Sequence, residues 1–305
     1  MEASRAPSTR ERPCRGHSFP TAIKRLPCRP HTPYTPPPPN RKTFPPAYRP
    51  GGPWENGRGP TENPATVKCH FGFDLPGVRE GRRRGDVLVL VDVLSFSTTV
   101  AAGCARGVVF LPAGSRRRAE ALAAEKGGVA SVARGEDSAP DRFSLSPLSY
   151  ASAPRGLVVA LRSPNGARLA LSARGSPATV VAGLVNASAA GAAAAAGARA
   201  ANTGVTVVAC GERVRAGGRR RRFAAEDLLG AGAVIAAVDL LRTGEAEVAL
   251  RAFEAVRGDL ESVLLTTESG LDLLEAGWQE DVVYAARLDS LRTVPLLRDG
   301  EIRAR

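Results

Sequence analysis

The sequence predicts an α/β fold of three layers, αβα, around a largely parallel or mixed β-sheet. Apolar segments rich in β-branched residues alternate with Ala-rich segments of helical length after about residue 66, a pattern typical of parallel strands joined by helical crossovers. In addition, the run 87–91, Val-Leu-Val-Leu-Val, is apolar without alternation. Such a run indicates a strand that is buried on both faces of a parallel sheet.

The first 66 residues lack this pattern. They contain 16 of the 24 prolines, with eleven Lys and Arg side chains against four acids. Such a segment cannot bury enough apolar surface to offset its ordering entropy, so we predict a disordered extension over 1–66. An over-extended gene start and a flexible arm are favoured over a nucleic-acid-binding arm and over a targeting peptide, which the prolines and acids fit poorly.

Residues 67–305 are long enough for one large α/β domain with a substantial core. The extension accounts for +7 of the formal net charge of +12, so the basic excess lies mostly outside this domain. The arginine runs at 82–84, 116–118 and 219–222 have no interleaved aromatic residues. This composition favours solvated loops, and we expect no nucleic-acid partner.

Cysteine usage indicates a reducing compartment, since the five cysteines are odd in number and form no Cys-x-x-Cys pair. Cys104 and Cys210 lie in apolar contexts that favour buried small hydrophobes over nucleophiles. His70 is the only histidine after residue 66, which argues against Cys/His and Ser/His/Asp sites. No apolar run approaches the roughly 20 residues that span a bilayer. We therefore expect a cytoplasmic protein with no membrane partner.

The strand at 87–91 leads directly to Asp92, and the hydroxyl cluster from Ser95 to Thr99 is then expected to cap an Ala-rich helix. A second strand is predicted at 108–111, before Pro112, with a helix at 119–126. An acid at the end of an apolar strand must be paired or hydrogen-bonded, so Asp92 is expected to be functional.

The later strands also end in polar groups. The strand predicted at 157–161 opens into Ser163-Pro-Asn165-Gly166-Ala-Arg168, where Pro and Asn-Gly predict a turn. The strand at 179–184 ends at Asn186 and Ser188, either of which suits the N-cap of the following poly-Ala helix. The strand at 206–209 ends at Cys210-Gly-Glu212. Taken singly, Asn186 is explained by capping and Asn165-Gly166 by the turn, but ligands bind where several strand ends meet.

Three further acids are candidates for a metal site. Glu136 lies in a loop between a helix and a strand, and Glu226 and Asp227 open a long apolar helix. The last two acids also suit the positive end of that helix. Because Mg²⁺ prefers oxygen ligands, scattered acids without a His or Cys cluster favour Mg²⁺ over zinc.

These residues resemble the 2-phosphosulfolactate phosphatases, which are Mg²⁺-dependent enzymes associated with coenzyme M biosynthesis. The resemblance spans most of 67–305 and depends on the order of six blocks: Val-Asp92-Val-Leu with Ser97-Thr98-Thr99, Gly135-Glu136, Asn165-Gly166-Ala-Arg168, Asn186-Ala-Ser188-Ala, Glu226-Asp227-Leu-Leu-Gly-Ala-Gly-Ala, and Ala-Arg287-Leu-Asp289-Ser290 with Val294-Pro295. It implies a phosphatase that converts 2-phospho-3-sulfolactate to 3-sulfolactate and inorganic phosphate.

The chain departs from the family pattern at positions that bear on the substrate. After Asp-Val-Leu the family commonly has Arg, whereas this chain has Ser95 and so loses a fork-shaped cation suited to phosphate or sulfonate. The Gly-Phe-Asp-Leu-Gly-Asn-Ser-Pro stretch is shortened to Phe143-Ser-Leu-Ser-Pro147, and Cys-Ala-Gly becomes Cys210-Gly-Glu212. Another small phosphorylated acid therefore stays open as the substrate.

With this resemblance, we expect Mg²⁺ on Asp92 with help from Glu136, Glu226 or Asp227. Arg168 and the amides around Ser97 to Thr99 and Asn165-Gly166 would neutralise the phosphoryl group, and Asn186 and Ser188 complete the expected binding set. Attack by water is favoured over a phosphoaspartate on Asp92, because Leu94 replaces the second acid of the Asp-x-Asp pattern of haloacid-dehalogenase phosphatases. A non-catalytic anion-binding module and association into a homo-oligomer stay open.

Overall fold

The computed structural model describes residues 67–136, 139, 141–213 and 221–305. The extension predicted over 1–66 lies outside the described residues. Those described form twelve strands, namely β1 Lys68–Phe73, β2 Val87–Val91, β3 Val109–Ala113, β4 Val129–Ala130, β5 Val158–Arg162, β6 Thr179–Ala182, β7 Val205–Ala209, β8 Glu212–Arg213, β9 Arg221–Arg222, β10 Leu241–Arg242, β11 Pro295–Arg298 and β12 Glu301–Ala304. The α-helices are α1 Asp74–Arg84, α2 Phe96–Ala105, α3 Arg116–Lys126, α4 Gly166–Ser172, α5 Ala187–Ala201, α6 Ala225–Ala236, α7 Gly244–Val256, α8 Leu260–Thr266, α9 Glu268–Glu275 and α10 Gln279–Ala285.

Ten of these strands form one mixed sheet in the order β10-β1-β7-β2-β6-β11-β12-β3-β5-β4. The first five strands are mutually parallel, as are the last three. The antiparallel hairpin β11–β12 lies between these two blocks, and one residue pair, Ile302 with Phe110, joins it to β3. Strands β8 and β9 pair separately as a two-stranded ribbon.

Strand β2 lies inside the sheet and shows why its sequence is uniformly apolar. Val87, Val89 and Val91 pack into a cluster with apolar residues of α5, α6 and α7. Leu88 and Leu90 point the other way and pack with residues of α1, α2 and α4. Because successive strand residues face opposite sides, both faces need apolar side chains. The predicted three-layer αβα arrangement is confirmed.

The strands predicted from sequence agree with the structure to within two residues at each end. Helix α3 begins at Arg116 instead of 119, because Ser115 accepts a capping hydrogen bond from the Arg118 amide. Strand β1 and the hairpin β11–β12 were not predicted. The expected burial of Cys104 and Cys210 is confirmed, and both thiols are free. No helix in the described part of the chain is long and apolar enough to cross a membrane.

Candidate active site

Asp92 is buried at the end of β2, where two loops hold its carboxylate. Its Oδ1 accepts hydrogen bonds from the backbone N–H groups of Ser95 (3.0 Å) and Phe96 (3.4 Å). Its Oδ2 accepts one from Gly166 (2.7 Å), the first residue of α4. The Asp92 carboxylate therefore joins the loop that follows β2 to the loop that follows β5.

The hydroxyl cluster after Asp92 bonds mainly to backbone groups. Ser95 is the N-cap residue of α2, in the cluster where capping was predicted, but its side chain makes no capping hydrogen bond. The buried Ser97 hydroxyl accepts from the Asp92 amide (2.9 Å) and donates to Leu90 O (3.2 Å). The hydroxyls of Thr98 and Thr99 donate to backbone carbonyls at 2.9 and 2.7 Å. Because buried hydroxyls need partners, these three stabilise the loop that carries Asp92.

Two buried acids at the start of α6 lie behind this loop. Asp227 accepts from the amides of Val93 (2.7 Å) and Gly211 (2.9 Å), and thereby connects the segments that follow β2 and β7. Glu226 is 2% exposed, and its Oε2 has no hydrogen-bond partner among the described residues. An unsatisfied buried carboxylate oxygen is costly, so Glu226 keeps an unused ligand atom, although its side chain lines neither of the two cavities described below.

Burial and mutual repulsion favour the protonated forms of these acids. Burial, and then the charge of Glu212, raise the pKa of Asp92 to about 7, although three backbone hydrogen bonds oppose the shift. Burial raises the pKa of Glu226, and the Ser269 hydroxyl opposes this effect. The pKa of Asp227 is well above its usual range because of burial and the charges of Asp92 and Glu226. A bound cation or a retained proton would relieve this repulsion.

A cavity of about 700 Å³ opens beside Asp92. Its walls include Ser95, Arg134, Asn165, Glu212 and Arg222. The Asn165 amide nitrogen donates to Glu212 Oε1 (2.9 Å), while its oxygen accepts from Arg221. The cavity therefore combines acids around Asp92 with guanidinium and amide groups, which suits an anionic ligand with a cation.

A second cavity, of about 1000 Å³, shares Ser163, Pro164, Leu145 and Arg213 with the first. Arg168 lines it and forms an ion pair with Asp74, and its buried Nε has no partner among the described residues. Besides Arg168 and Arg213, its wall contains Arg116, Arg162 and Arg221. Anions are therefore favoured in this part of the site.

The remaining residues predicted for the site lie elsewhere. Asn186 is fully buried and bonds to Gly183 N, Val181 O and Thr293 O, so its amide is satisfied within the protein. Ser188 is exposed and bonds to the Asp289 carboxylate. Glu136 is exposed in a loop, where it accepts from the Ala133 amide at 3.4 Å. None of the three lines either cavity, and their contacts with a ligand stay predictions.

Sequence reasoning missed Arg134, which lines the first cavity. Its guanidinium donates to Asp281 Oδ2 (2.9 Å), to Leu145 O (3.0 Å) and to the Ser95 hydroxyl. A guanidinium therefore lies against Ser95, at the position where the sequence lacks the arginine that the family commonly has. No local signal identifies this contact, because Arg134 is 39 residues from Ser95 along the chain.

The donor chemistry of the site fits a hard cation. No group of three or more His, Cys, Asp or Glu side chains within the described ranges is arranged to hold a metal ion. Mg²⁺ is usually held, however, by one or two carboxylates together with waters and substrate phosphate. Asp92, which lies in the cavity wall and keeps a lone pair on Oδ2, and Glu226, which has an unpartnered oxygen, are the carboxylates that suit that smaller requirement. Asp227 lines neither cavity, and each of its oxygens accepts a backbone hydrogen bond.

Comparison with known proteins agrees with this chemistry. The family model described as 2-phosphosulpholactate phosphatase matches residues 75–300. A 2-phosphosulfolactate phosphatase of Methanothermobacter thermautotrophicus is 30% identical over 236 residues, which cover 77% of this chain and 95% of that protein. Probable 2-phosphosulfolactate phosphatases of Gloeobacter violaceus and Symbiobacterium thermophilum are 29% and 28% identical, and the alignments cover 69% and 72% of this chain and 87% and 94% of those proteins.

Proposed function

Because the chain belongs to the 2-phosphosulfolactate phosphatase family, we propose that it hydrolyses 2-phospho-3-sulfolactate to 3-sulfolactate and inorganic phosphate. The observation that carries this proposal is the buried Asp92 carboxylate in the wall of a cavity that also holds guanidinium groups. Phosphoryl transfer needs mainly positioning and neutralisation of charge, and this site offers both.

Asp92 is the group that we place at the reacting phosphoryl group. Three backbone hydrogen bonds fix its orientation, and Oδ2, which accepts only one of them, keeps lone-pair capacity for one more partner. In the metal-free protein its pKa of about 7 suits proton exchange near neutral pH, and a cation bound beside it would favour the ionised form that accepts a proton. We propose that Asp92 orients the attacking water and takes its proton.

We further propose that Mg²⁺ is the cofactor, held by Asp92 and Glu226 with Asp227 behind them. When bound, the ion would neutralise charge on the phosphoryl oxygens. Glu226 contributes its unpartnered Oε2, and Asp227 keeps the two loops in place through Val93 and Gly211. Glu136, also expected as a ligand, is exposed and lacks the buried, unpartnered oxygen that supports the choice of Glu226.

The anionic ends of the substrate are assigned to the basic and amide groups. Asn165 lines the first cavity, and Arg168 with its unpartnered Nε lines the second. Between them, Ser163 and Pro164 belong to both walls. A small acid that carries several negative charges therefore finds hydrogen-bond donors on more than one side.

The test is phosphate release by the purified full-length chain from a panel of small phosphorylated acids that includes 2-phospho-3-sulfolactate, in MgCl₂ and in EDTA. We expect Mg²⁺-dependent turnover that prefers the sulfolactate ester. Asp92→Asn should lower kcat by roughly 10²–10⁴-fold, as when a catalytic acid or base is lost. Asp239→Asn is the matched control, since that side chain is 97% exposed.

Absence of phosphate release from every ester, by a chain that is folded, would refute the proposal. Preference for another ester would retain the chemistry and reassign the substrate. Rapid quenching separates the two routes of attack. We expect no hydroxylamine-sensitive phosphoprotein, and a phosphoryl group trapped on Asp92 would replace attack by water with covalent catalysis.

We also propose that the protein works in the cytoplasm. The proposal is supported by the free, buried thiols of Cys69, Cys104 and Cys210, which are compatible with a reducing compartment. Fractionation of cells that produce the chain should recover it with cytoplasmic markers, and recovery with the membrane fraction would contradict the proposal.

A further inference from the structure

Arg134 contacts the hydroxyl of Ser95, which lies three residues after Asp92 along the chain. Its side chain is 16% exposed and lines the cavity. Nε and Nη2 bind Asp281, Leu145 and Ser95. Nη1 makes no hydrogen bond to the described residues, and it does not belong to the buried side-chain atoms that lack a partner. One edge of the guanidinium is therefore available to a ligand.

The other edge is held rigidly. Asp281, on α10, is 3% exposed. One of its carboxylate oxygens accepts from Arg134 at 2.9 Å, and the other accepts from the Ser146 hydroxyl at 2.6 Å. A charge-assisted bond to a carboxylate that is itself hydrogen-bonded keeps the guanidinium in one orientation. Little side-chain entropy is then lost when a ligand binds.

The other arginines in the cavity wall are less suited to this role. Arg222 already binds the Ser269 hydroxyl and the carboxylates of Glu268 and Asp272. Arg213 is exposed. Arg134 is thus both pre-positioned and provided with an open donor edge, and a planar guanidinium matches a carboxylate or sulfonate better than a lysine would.

We propose that Arg134 binds the non-reacting anionic group of the substrate, a carboxylate or a sulfonate, and so determines which phosphorylated acids are accepted. This inference rests on the proposed function, since it assumes that the phosphoryl group lies at Asp92. Arg134 would then contact the neighbouring acidic group and hold the ester bond at the reacting carboxylate. It is a substrate-binding residue that takes no part in the proton transfer.

The experiment measures kcat and KM of the full-length chain with three esters: 2-phospho-3-sulfolactate, 2-phospholactate, which lacks the sulfonate, and the phosphate ester of 2-hydroxyethanesulfonate, which lacks the carboxylate. The variants are R134Q and R134K. R142Q is the matched control, because Arg142 is an exposed residue of the same loop region and lies outside both cavity walls.

For 2-phospho-3-sulfolactate we expect R134Q to raise KM by roughly 10- to 100-fold, the effect of losing a charge-assisted hydrogen bond, with kcat changed less than about threefold. R134K should show a smaller rise, since it keeps the charge but loses the fork. The ester that lacks the group bound by Arg134 should be turned over by R134Q and wild type alike. If the insensitive ester is 2-phospholactate, Arg134 binds the sulfonate; if it is the phosphate ester of 2-hydroxyethanesulfonate, Arg134 binds the carboxylate.

Equal losses for all three esters, or a loss in kcat alone, would show that Arg134 only supports the fold. Kinetics of R134Q that match those of R142Q would also overturn the inference. R134K decides the matter if R134Q does not fold. Calorimetric binding of 3-sulfolactate separates this inference from the proposed function. Binding that depends on Arg134 without phosphate release would refute only the function, whereas absence of both binding and turnover would refute both.

Discussion

Asp92 accepts backbone hydrogen bonds from two loops while burial and nearby acids oppose its ionisation. The three amides keep the carboxylate in place, and Glu212 and Asp227 repel its charge. Such opposed effects place its pKa near 7, where a small change in the environment alters the protonation state. The protonation state of Asp92 therefore depends on groups that come close to it only in the folded chain.

The pH dependence of stability tests this electrostatic arrangement. The folded pKa of Asp92, about 7, exceeds that of an unfolded aspartate, near 4. Between these values the folded chain binds more protons, so the free energy of unfolding should fall as pH rises from about 4 to about 7. Urea unfolding in EDTA should show a shallower fall for Asp92→Asn than for wild type and Asp239→Asn. Identical slopes for all three would contradict the assignment.

A cation that binds the acids should stabilise the fold. With Mg²⁺ at about 100 times its dissociation constant, the free energy of unfolding should rise by about 2.7 kcal/mol. We expect a higher melting temperature in MgCl₂ than in EDTA for wild type, and a smaller rise for Glu226→Gln, which alters the unpartnered carboxylate. Glu261→Gln, on α8, is the control. An equal Mg²⁺ effect in both variants would exclude Glu226 as a ligand.

At the scale of elements, the helices α6 and α7 pack closely enough that their backbones nearly touch. A Cβ atom at Gly232 would lie 2.1 Å from the carbonyl oxygen of Ala249 and 2.7 Å from the Cβ of Phe253. Because a backbone atom cannot move aside as a flexible side chain can, this crossing requires glycine. The start of α6 carries Glu226 and Asp227, so helix packing also positions the acids.

We therefore expect Gly232→Ala to lower the free energy of unfolding by about 1–3 kcal/mol, as overpacking of a core does. Gly244→Ala is the control. A Cβ there meets nothing within 4 Å, so this change should be neutral or should stabilise by up to about 1 kcal/mol. Denaturant unfolding measures both, and a neutral Gly232→Ala would show that the two helices separate without cost.

For the whole molecule, the last residues of the described chain join the two parallel blocks of the sheet. Strand β11 pairs with β6, and β12 pairs with β3 through Ile302, which is fully buried. The hairpin pairs antiparallel with β6 on one side and with β3 on the other. In the strand order, β3, β5 and β4 are connected to the rest of the sheet through this hairpin. The Asp92–Gly166 contact connects the same two blocks at the site.

The hairpin should therefore matter for global stability. Ile302→Ala is expected to cost about 2–5 kcal/mol, the usual range for a large-to-small change in a core. Val248→Ala, at an exposed position on α7, should change stability by less than about 0.5 kcal/mol. Thermal unfolding followed by circular dichroism measures both changes. A decrease in the free energy of unfolding below about 1 kcal/mol for Ile302→Ala would mean that the hairpin contributes little to global stability.

The local pattern of the chain was sufficient to predict many elements but few contacts. Continuous apolar runs predicted β2, β5 and β7, because burial on both faces leaves a signature in every residue of a strand. Ser95 is the N-cap of α2, within the cluster predicted to cap it, but the expected side-chain bond is absent, since propensity says where a hydroxyl is favourable but not which group lies beside it. Arg134 was missed for the same reason: its partners, Ser95 and Asp281, are distant in sequence.

The sequence by itself determined the α/β class, the strand before Asp92 and the family resemblance, because hydrophobic period and motif order are properties of the chain alone. Only the tertiary structure decided that Gly166 and Asp227 meet the Asp92 loop, that Asn186 bonds to Thr293 and Ser188 to Asp289, and that a C-terminal hairpin joins the two blocks. These outcomes depend on long-range pairing, where each buried polar group must find a partner that its own segment does not supply.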